Sequence, residues 1–322
     1  MKRQSYGYGA YRGRGRGNAG LKVLVIFLAV ILIMAVAGFF LAERYMVYGD
    51  DGEVRLELPF LQQEEPKQEV EATPSPQLPV VTAQPVPEKA QRPEVILPVL
   101  LSWEALWDGS AEETVIEAGG NAALFDMKLD SGELGWVSDQ ELSIQAKVSL
   151  DDPEKNEAMK KMAQQDDVYR IARISCFKDN ELSNADLSLA IMTTGGYRWL
   201  DSDKTRWLSP ASQTVQEHLA ASCGELARLG FDEIVLDNAG YPTRGLLSYI
   251  RKDEAYDAQQ FESVITGFYQ KVAEELEGSG VALSVVYDPQ TTALSGQSEK
   301  VLRDLDIHIV SYDEAGTLVW QQ

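Results

Sequence analysis

Apolar positions along this chain change their spacing several times. Val23 to Leu41 is an uncharged apolar run of 19 residues, long enough to cross a bilayer as a helix. From about Val95, short apolar runs alternate with stretches whose apolar residues recur every three or four positions. The short runs predict strands over Val95–Ser102 (weakened by Pro98), Ala122–Leu129, Val168–Phe177, Ile234–Asp237, Val281–Tyr287 and Ile307–Tyr312. Helices are predicted between them. Ser110-Ala111-Glu112-Glu113 reads as a capping box opening a short helix that stops at Gly119-Gly120. Pro153–Gln165 is a polar helix. Ser209 caps the next, with Pro210 at its first position and Val215, Leu219, Cys223 and Leu226 on one face. Phe261, Val264, Ile265, Phe268, Val272 and Leu276 mark a long helix stopped by Gly278, and Ser298–Leu305 a short one.

Repeated strand–helix units imply a parallel sheet with helices outside it. The predicted fold is α/β, a parallel (β/α) TIM-type barrel over residues 95–322. Roughly 225 residues is near the lower limit for eight units. About six are visible, so the barrel is expected to be incomplete. No Gly-rich phosphate loop follows any strand, which disfavours a nucleotide-binding open sheet.

The chain before Val95 is not globular in composition. Residues 1–22 hold six basic residues, Lys2, Arg3, Arg12, Arg14, Arg16 and Lys22, with no acid, among Gly and Tyr. They read as a disordered arm. The basic flank predicts that this arm is cytoplasmic, that 23–41 is an uncleaved single-pass membrane helix, and that the rest lies outside the cell. Residues 46–94 read as a Pro/Glu-rich extracellular stalk, because nine of the thirteen prolines fall between Pro59 and Pro98. A turn of structure near Val54–Phe60 is compatible with the pattern. The chain carries −21 and the arm +6, leaving −27 for residues 23–322. Such an acidic exterior argues against nucleic acid as a partner of the outer domain.

The chemistry concentrates in Gly230-Phe231-Asp232-Glu233-Ile234-Val235-Leu236-Asp237-Asn238-Ala239-Gly240-Tyr241-Pro242. A buried strand there ends on a carboxylate, where barrel enzymes keep catalytic groups. A helix cap or a loop brace is the equally weighted alternative for Asp237. Asp126, Asp130, Asp288, Asp313 and Glu314 also follow strands, and Asp126, Asp237, Asp288 and Asp313 are expected around one rim. Cys176 and Cys223 read as two buried free thiols. With His218 (read as a helix-surface residue) and His308 the only histidines, no His-rich metal centre is expected, and no cofactor is implied. No Gly-x-Ser-x-Gly elbow supports a Ser-His-Asp hydrolase.

GFDEIVLDNAGYP resembles the GFDEIQFDYIRFP signature of a bacterial family of glycosyl hydrolase-like barrels, distantly similar to the alpha-amylase clan. NAALFDMKLDSGELGW, VYRIARISCFKDNELSNADLSLA and GGYRWLDSDKTRWLSP resemble further pieces of that family in the same order. The resemblance implies a carbohydrate-acting barrel in which Asp237 matches the nucleophile and Asp288 stands in for the acid. Three departures accompany it. Gly240 occupies the position of the signature's Arg, Asn238 that of its aromatic, and no counterpart of a third, late carboxylate is found.

Glycoside hydrolysis needs two carboxylates about 5–5.5 Å apart for retention or roughly 6.5–9.5 Å for inversion. Asp237 and Asp288 are the candidate catalytic pair. Asp126, Lys128, Arg173, Trp199, Trp207 and Tyr241 are candidates for substrate binding, the aromatics as platforms for the apolar faces of sugar rings. An internal ion pair is the alternative for Arg170 and Arg173. Two functional readings result. One is a membrane-anchored extracytoplasmic glycoside hydrolase-like protein acting on or binding cell-surface polysaccharide. The other is a catalytically inactive barrel that binds glycan or a protein partner at the envelope.

Overall fold

In the computed structural model, residues 46–48, 54–56, 91–165 and 168–321 are described. The expected basic arm and membrane helix lie outside them. Among the described residues no helix is long and apolar enough to cross a membrane. The chain divides into two units, Met1–Val81 and Thr82–Gln322. In the first, β1 (Met46–Tyr48) pairs antiparallel with β2 (Val54–Leu56), so part of the expected stalk is a small ladder.

In the second unit the six predicted strands all form. They are β3 (Pro98–Leu101), β4 (Ala122–Lys128), β5 (Tyr169–Ser175), β6 (Glu233–Asp237), β7 (Ala282–Val286) and β8 (His308–Tyr312). They lie in sequence order and pair in parallel. Pro98 is tolerated because it opens an edge strand, where a missing N–H costs no ladder bond. A seventh strand, β9 (Leu318–Trp320), was not expected. It turns back antiparallel on β8 through a loop in which Asp313 Oδ1 accepts from the N–H groups of Ala315 and Thr317. Asp313 is therefore a turn residue.

Five crossover helices link the parallel strands: α1 (Ala111–Glu117), α2 (Pro153–Gln165), α3 (Gln213–Arg228), α4 (Phe261–Glu275) and α5 (Glu299–Asp304). Two predicted caps differ. Ser110 makes no side-chain cap bond. The start of α3 moves from Ser209 to Ser212, whose hydroxyl accepts from Val215 N, while Ser209 N is taken by Leu189 O. The predicted apolar faces hold: Val215, Leu219, Cys223, Leu226, Ile265, Phe268 and Val272 are all buried. Each such side chain stabilises the fold by about 1.5–3 kcal/mol relative to exposure. Cys176 and Cys223 are buried free thiols.

Side-chain alternation divides the strands between two cores. Ala123, Phe125, Ala172, Ile174, Ile234 and Leu236 pack under the helices. Ala122, Leu124, Tyr169, Ile171, Val235 and Val310 point to the other face, where Ile96 and Leu318 join them. The sheet is curled toward that second face. Tyr312 on β8 hydrogen-bonds Arg173 on β5 at 2.9 Å, although two strands intervene. On a flat sheet those strand axes would lie roughly 14 Å apart.

Glu233, fully buried, ties the lower end of this concave face together. It accepts from Tyr169, Ser284 and Trp320 and pairs with Arg92 at 3.0 Å. The last residues of the predicted stalk thus dock on the sheet. Arg170 pairs with Asp232 at the same end, as the internal-pair alternative supposed.

His218 corrects another expectation, because it is buried rather than on the helix surface. The segment from Trp136 to Gln140 covers α3, with Glu225 accepting from Trp136, Ser138 and Asp139. With its amide turned inward, Gln140 donates to His218 Nδ1 at 2.8 Å. Burial, helped by the Lys128 charge, pushes the imidazole down to about 4. The native state therefore binds fewer protons than the unfolded chain between pH ~6.5 and ~4, and stability is lost as pH falls through that window. The expected loss is about 3 kcal/mol. Denaturant midpoints for wild type and His218→Gln should converge toward pH 4; parallel curves would refute the assignment.

Candidate active site

The upper, C-terminal ends of β4–β8 and the loops beyond them enclose a cleft of about 1160 Å³. Its chemistry comes from strand positions on the concave face. In register, Asp126 lies beside Arg173, and Ser175 beside Asp237. Arg173 donates to Asp126 Oδ2 at 2.6 Å and to the Tyr312 hydroxyl at 2.9 Å. Tyr312 in turn donates to Asp237 Oδ2. The other oxygen, Asp237 Oδ1, accepts from Asn238 N at 2.7 Å. Four side chains from β4, β5, β6 and β8 thus form one connected chain across the mouth.

Asp237 is not a helix cap. A loop follows it, and α4 begins only at Phe261. Asn238 adopts φ +48°, a left-handed conformation that Asn accepts better than most residues. This turns its amide back to Ser175 Oγ at 2.9 Å and Asp130 Oδ1 at 3.2 Å. Burial raises the Asp237 carboxyl above the usual carboxylate range, while the Tyr312 hydrogen bond and the Arg173 charge pull it back. Gly240, where the related signature carries Arg, has no room for a side chain: a Cβ would meet Ser295 O at 2.8 Å.

The predicted site residues divide. Asp126, Arg173, Asp237 and Asp288 line the cleft, and Asp313 does not. Asp288 is exposed beyond β7 and accepts from Gln290 N at 2.9 Å within its own turn. Lys128 touches the cleft floor, but its side chain is wholly buried. It pairs with Asp179 at 2.8 Å and donates to Ser175 O. Both tryptophans are buried in the main core; Trp207 also lines the cleft and donates to Asp201, whereas Trp199 does not line it and donates to Leu246 O. Tyr241 forms part of the wall, but its ring face is stacked on Phe261 at 3.7 Å. Exposed Tyr197 does not line the cleft.

Two groups were missed by the sequence reading. Lys178 binds Asp130 and Asp203 at 2.9 Å and Asp201 at 3.5 Å, which pins the Trp199–Trp207 loop to the rim. Tyr312 ended a predicted strand, and the alternation His308, Val310, Tyr312 already put it on one face; only the curl brings it to Asp237. Among the described residues, no cluster of His, Cys, Asp and Glu is arranged to hold a metal ion.

A family model described as "Putative glycosyl hydrolase domain" matches residues 111–302. No curated protein matches the chain. Solved structures that match include a hypothetical protein from Ruminiclostridium thermocellum, 24% identical over 61% of this chain and 98% of that one, with a TM-score of 0.49. The PgaB glycoside hydrolase domain from Bordetella bronchiseptica is 14% identical over 68% and 74%, with a TM-score of 0.46. A GH20 exo-β-N-acetylglucosaminidase from Vibrio harveyi is 13% identical over 69% and 39%, with a TM-score of 0.48. The chain therefore spans well under half of that last protein.

Proposed function

The chain belongs to the family described as "Putative glycosyl hydrolase domain", and from that premise we propose that it is a membrane-anchored, extracytoplasmic glycoside hydrolase-like protein acting on cell-surface polysaccharide. Asp237 is its principal catalytic carboxylate. The observation that carries this reading is where Asp237 sits. It closes a central parallel strand, opens into the cleft, and has a carboxyl raised by burial and a hydrogen-bonded bridge to a second carboxylate. Enzymes built on parallel barrels place their chemistry at this end of the strands, and glycoside hydrolysis calls for a carboxylic acid tuned by its surroundings. The incomplete TIM-type barrel fits the same reading, since the strands run in order through six parallel members and curl without closing. Anchoring rests on the apolar run 23–41 and its basic flank.

The test uses the full chain expressed in intact cells, supplied with starch, laminarin, xylan, chitosan and purified cell-wall polysaccharide. These polymers are too large to cross a membrane, so release of reducing sugar above an empty-vector control is expected only if an active domain faces outward. Release confined to lysed cells would overturn the topology. Tight binding with no release from any polymer would favour the inactive, glycan-binding reading.

A further inference from the structure

Asp237 is held at both of its oxygens. Tyr312 holds Oδ2, and the backbone N–H of Asn238 holds Oδ1 at 2.7 Å. We propose that Asn238 is a positioning residue for Asp237, and that its side-chain amide fastens the carboxylate to the loop pinned by Lys178. The proposal rests on the glycoside hydrolase reading and deepens it, because it says what fixes the catalytic group in place.

Three observations support it. The first is the backbone. Among the described residues, the non-glycine residues with positive φ are Lys147, Lys204, Asn238 and Asp306. Lys147 and Asp306 follow helices, and Lys204 sits in a turn closed by its N–H on Asp201 O. Of these, Asn238 alone lines the cleft, directly after the last residue of β6. Such a conformation persists where the surroundings enforce it. The second is what enforces it. Asn238 Nδ2 donates to Ser175 Oγ at the end of β5 at 2.9 Å, and to Asp130 Oδ1 beyond β4 at 3.2 Å. Both amide protons are thereby used, so the group braces the wall of the cleft. The third is where the brace leads. Asp130 Oδ2 binds Lys178 at 2.9 Å, and Lys178 also holds Asp201, the acceptor of Trp207.

Asp237 is thus fixed from two directions. One chain runs from Lys178 through Asp130 and Asn238 to Oδ1, the other from Arg173 through Tyr312 to Oδ2. A carboxylate has about four acceptor sites. Each oxygen therefore keeps one for the reaction, and Asp237 is partly exposed in the cleft. Without the brace, the Asn238 N–H no longer points steadily at Oδ1. That bond favours the ionised form, so its loss raises the carboxyl further. The other charged or titratable groups near Asp237 are Arg173 with its partner Asp126, Tyr312, Asp130, the buried Cys176 thiol and, across the cleft, Asp288. A residue that merely supplied a left-handed turn could be replaced by glycine without loss, because glycine adopts positive φ freely.

The experiment compares Asn238→Gly, Asn238→Asp and wild type on the polysaccharide that scores in the release screen. Lys147→Gly, a left-handed position outside the cleft, is the control and should match wild type. Asn238→Gly is expected to melt close to wild type, keep its KM and lose roughly 10²-fold in kcat, the cost of a misplaced reacting group. Asn238→Asp tolerates the left-handed turn but offers no proton to Asp130, and should lose at least as much. Carbon-13 NMR of the aspartate carboxyls, with Asp237 identified by its absence from Asp237→Asn, should show Asp237 titrating at higher pH in both Asn238 variants. An unmoved titration in Asn238→Gly overturns the proposal, and so does wild-type kcat there. Raised KM with unchanged kcat would make Asn238 a binding residue and overturns it too. Each of these leaves the hydrolase reading intact. If wild type releases sugar from no polymer, the hydrolase reading fails, and the titration still decides whether Asn238 holds Asp237.

Discussion

Asp237→Asn is expected to leave a folded protein whose glycan release has fallen by roughly three orders of magnitude or more. The amide is nearly isosteric, but it can neither give nor take the proton, and groups central to bond cleavage commonly carry losses of this size. Stability should move the other way or not at all. Burial raises the native carboxyl above its ordinary range. The native state therefore binds the Asp237 proton more readily than the unfolded chain does, and its ionised form costs stability wherever it is populated. A neutral amide removes that cost, and its oxygen can still accept from Asn238 N. The remaining alternative, that Asp237 only braces its loop through Asn238 N, predicts a different pattern: activity intact and a loss of about 1 kcal/mol or less. Melting temperature and sugar release measured on this one variant separate the two. Unchanged release would remove Asp237 from the chemistry.

How much of this site could be read from the sequence depends on how local each feature is. Asp237 was legible because the apolar run Ile234–Leu236 stops on it, and the period of two places Glu233, Val235 and Asp237 on one face. The six parallel strands were legible for the same reason: each is a short run bounded by turn residues. β9 was not, being three residues long with a pattern no stronger than a loop. The Asp126–Arg173–Tyr312–Asp237 chain joins residues up to 186 positions apart, and it exists only because the sheet curls. Trp199 and Trp207 show the limit within a single loop. They are eight residues apart in similar surroundings. Both are buried in the main core, but only Trp207 also lines the cleft, a difference fixed by distant partners such as Leu246 for Trp199. Gly240 is similar. Its smallness looked like a lost arginine, but it is matched to the close approach of Ser295.

Lys128 makes the same point with a large expected effect. Read along the chain, a lysine following a strand acid at the rim is a natural sugar-binding group. In the fold its ammonium and the Asp179 carboxylate are both fully buried, 2.8 Å apart. Asp179 itself comes from the start of the short helix Asn180–Ala185, where its other oxygen accepts from Leu182 N. The pair ties the end of β4 to the loop after β5, directly beneath the cleft, and Lys128 adds a bond to Ser175 O. Lys128→Met keeps much of the side-chain volume but strands a buried carboxylate, which typically costs 3–5 kcal/mol. For a domain of this size that corresponds to a fall of roughly 6–20 °C in melting temperature. Replacing both partners by neutral groups, as in Lys128→Met with Asp179→Asn, should recover part of the loss, because no uncompensated charge remains. Glycan affinity, measured at a temperature where both proteins are folded, should change little, since the ammonium is fully buried against Asp179. A Lys128→Met protein that melts with wild type yet loses glycan binding would restore the residue to the binding surface and refute its role as the anchor beneath it.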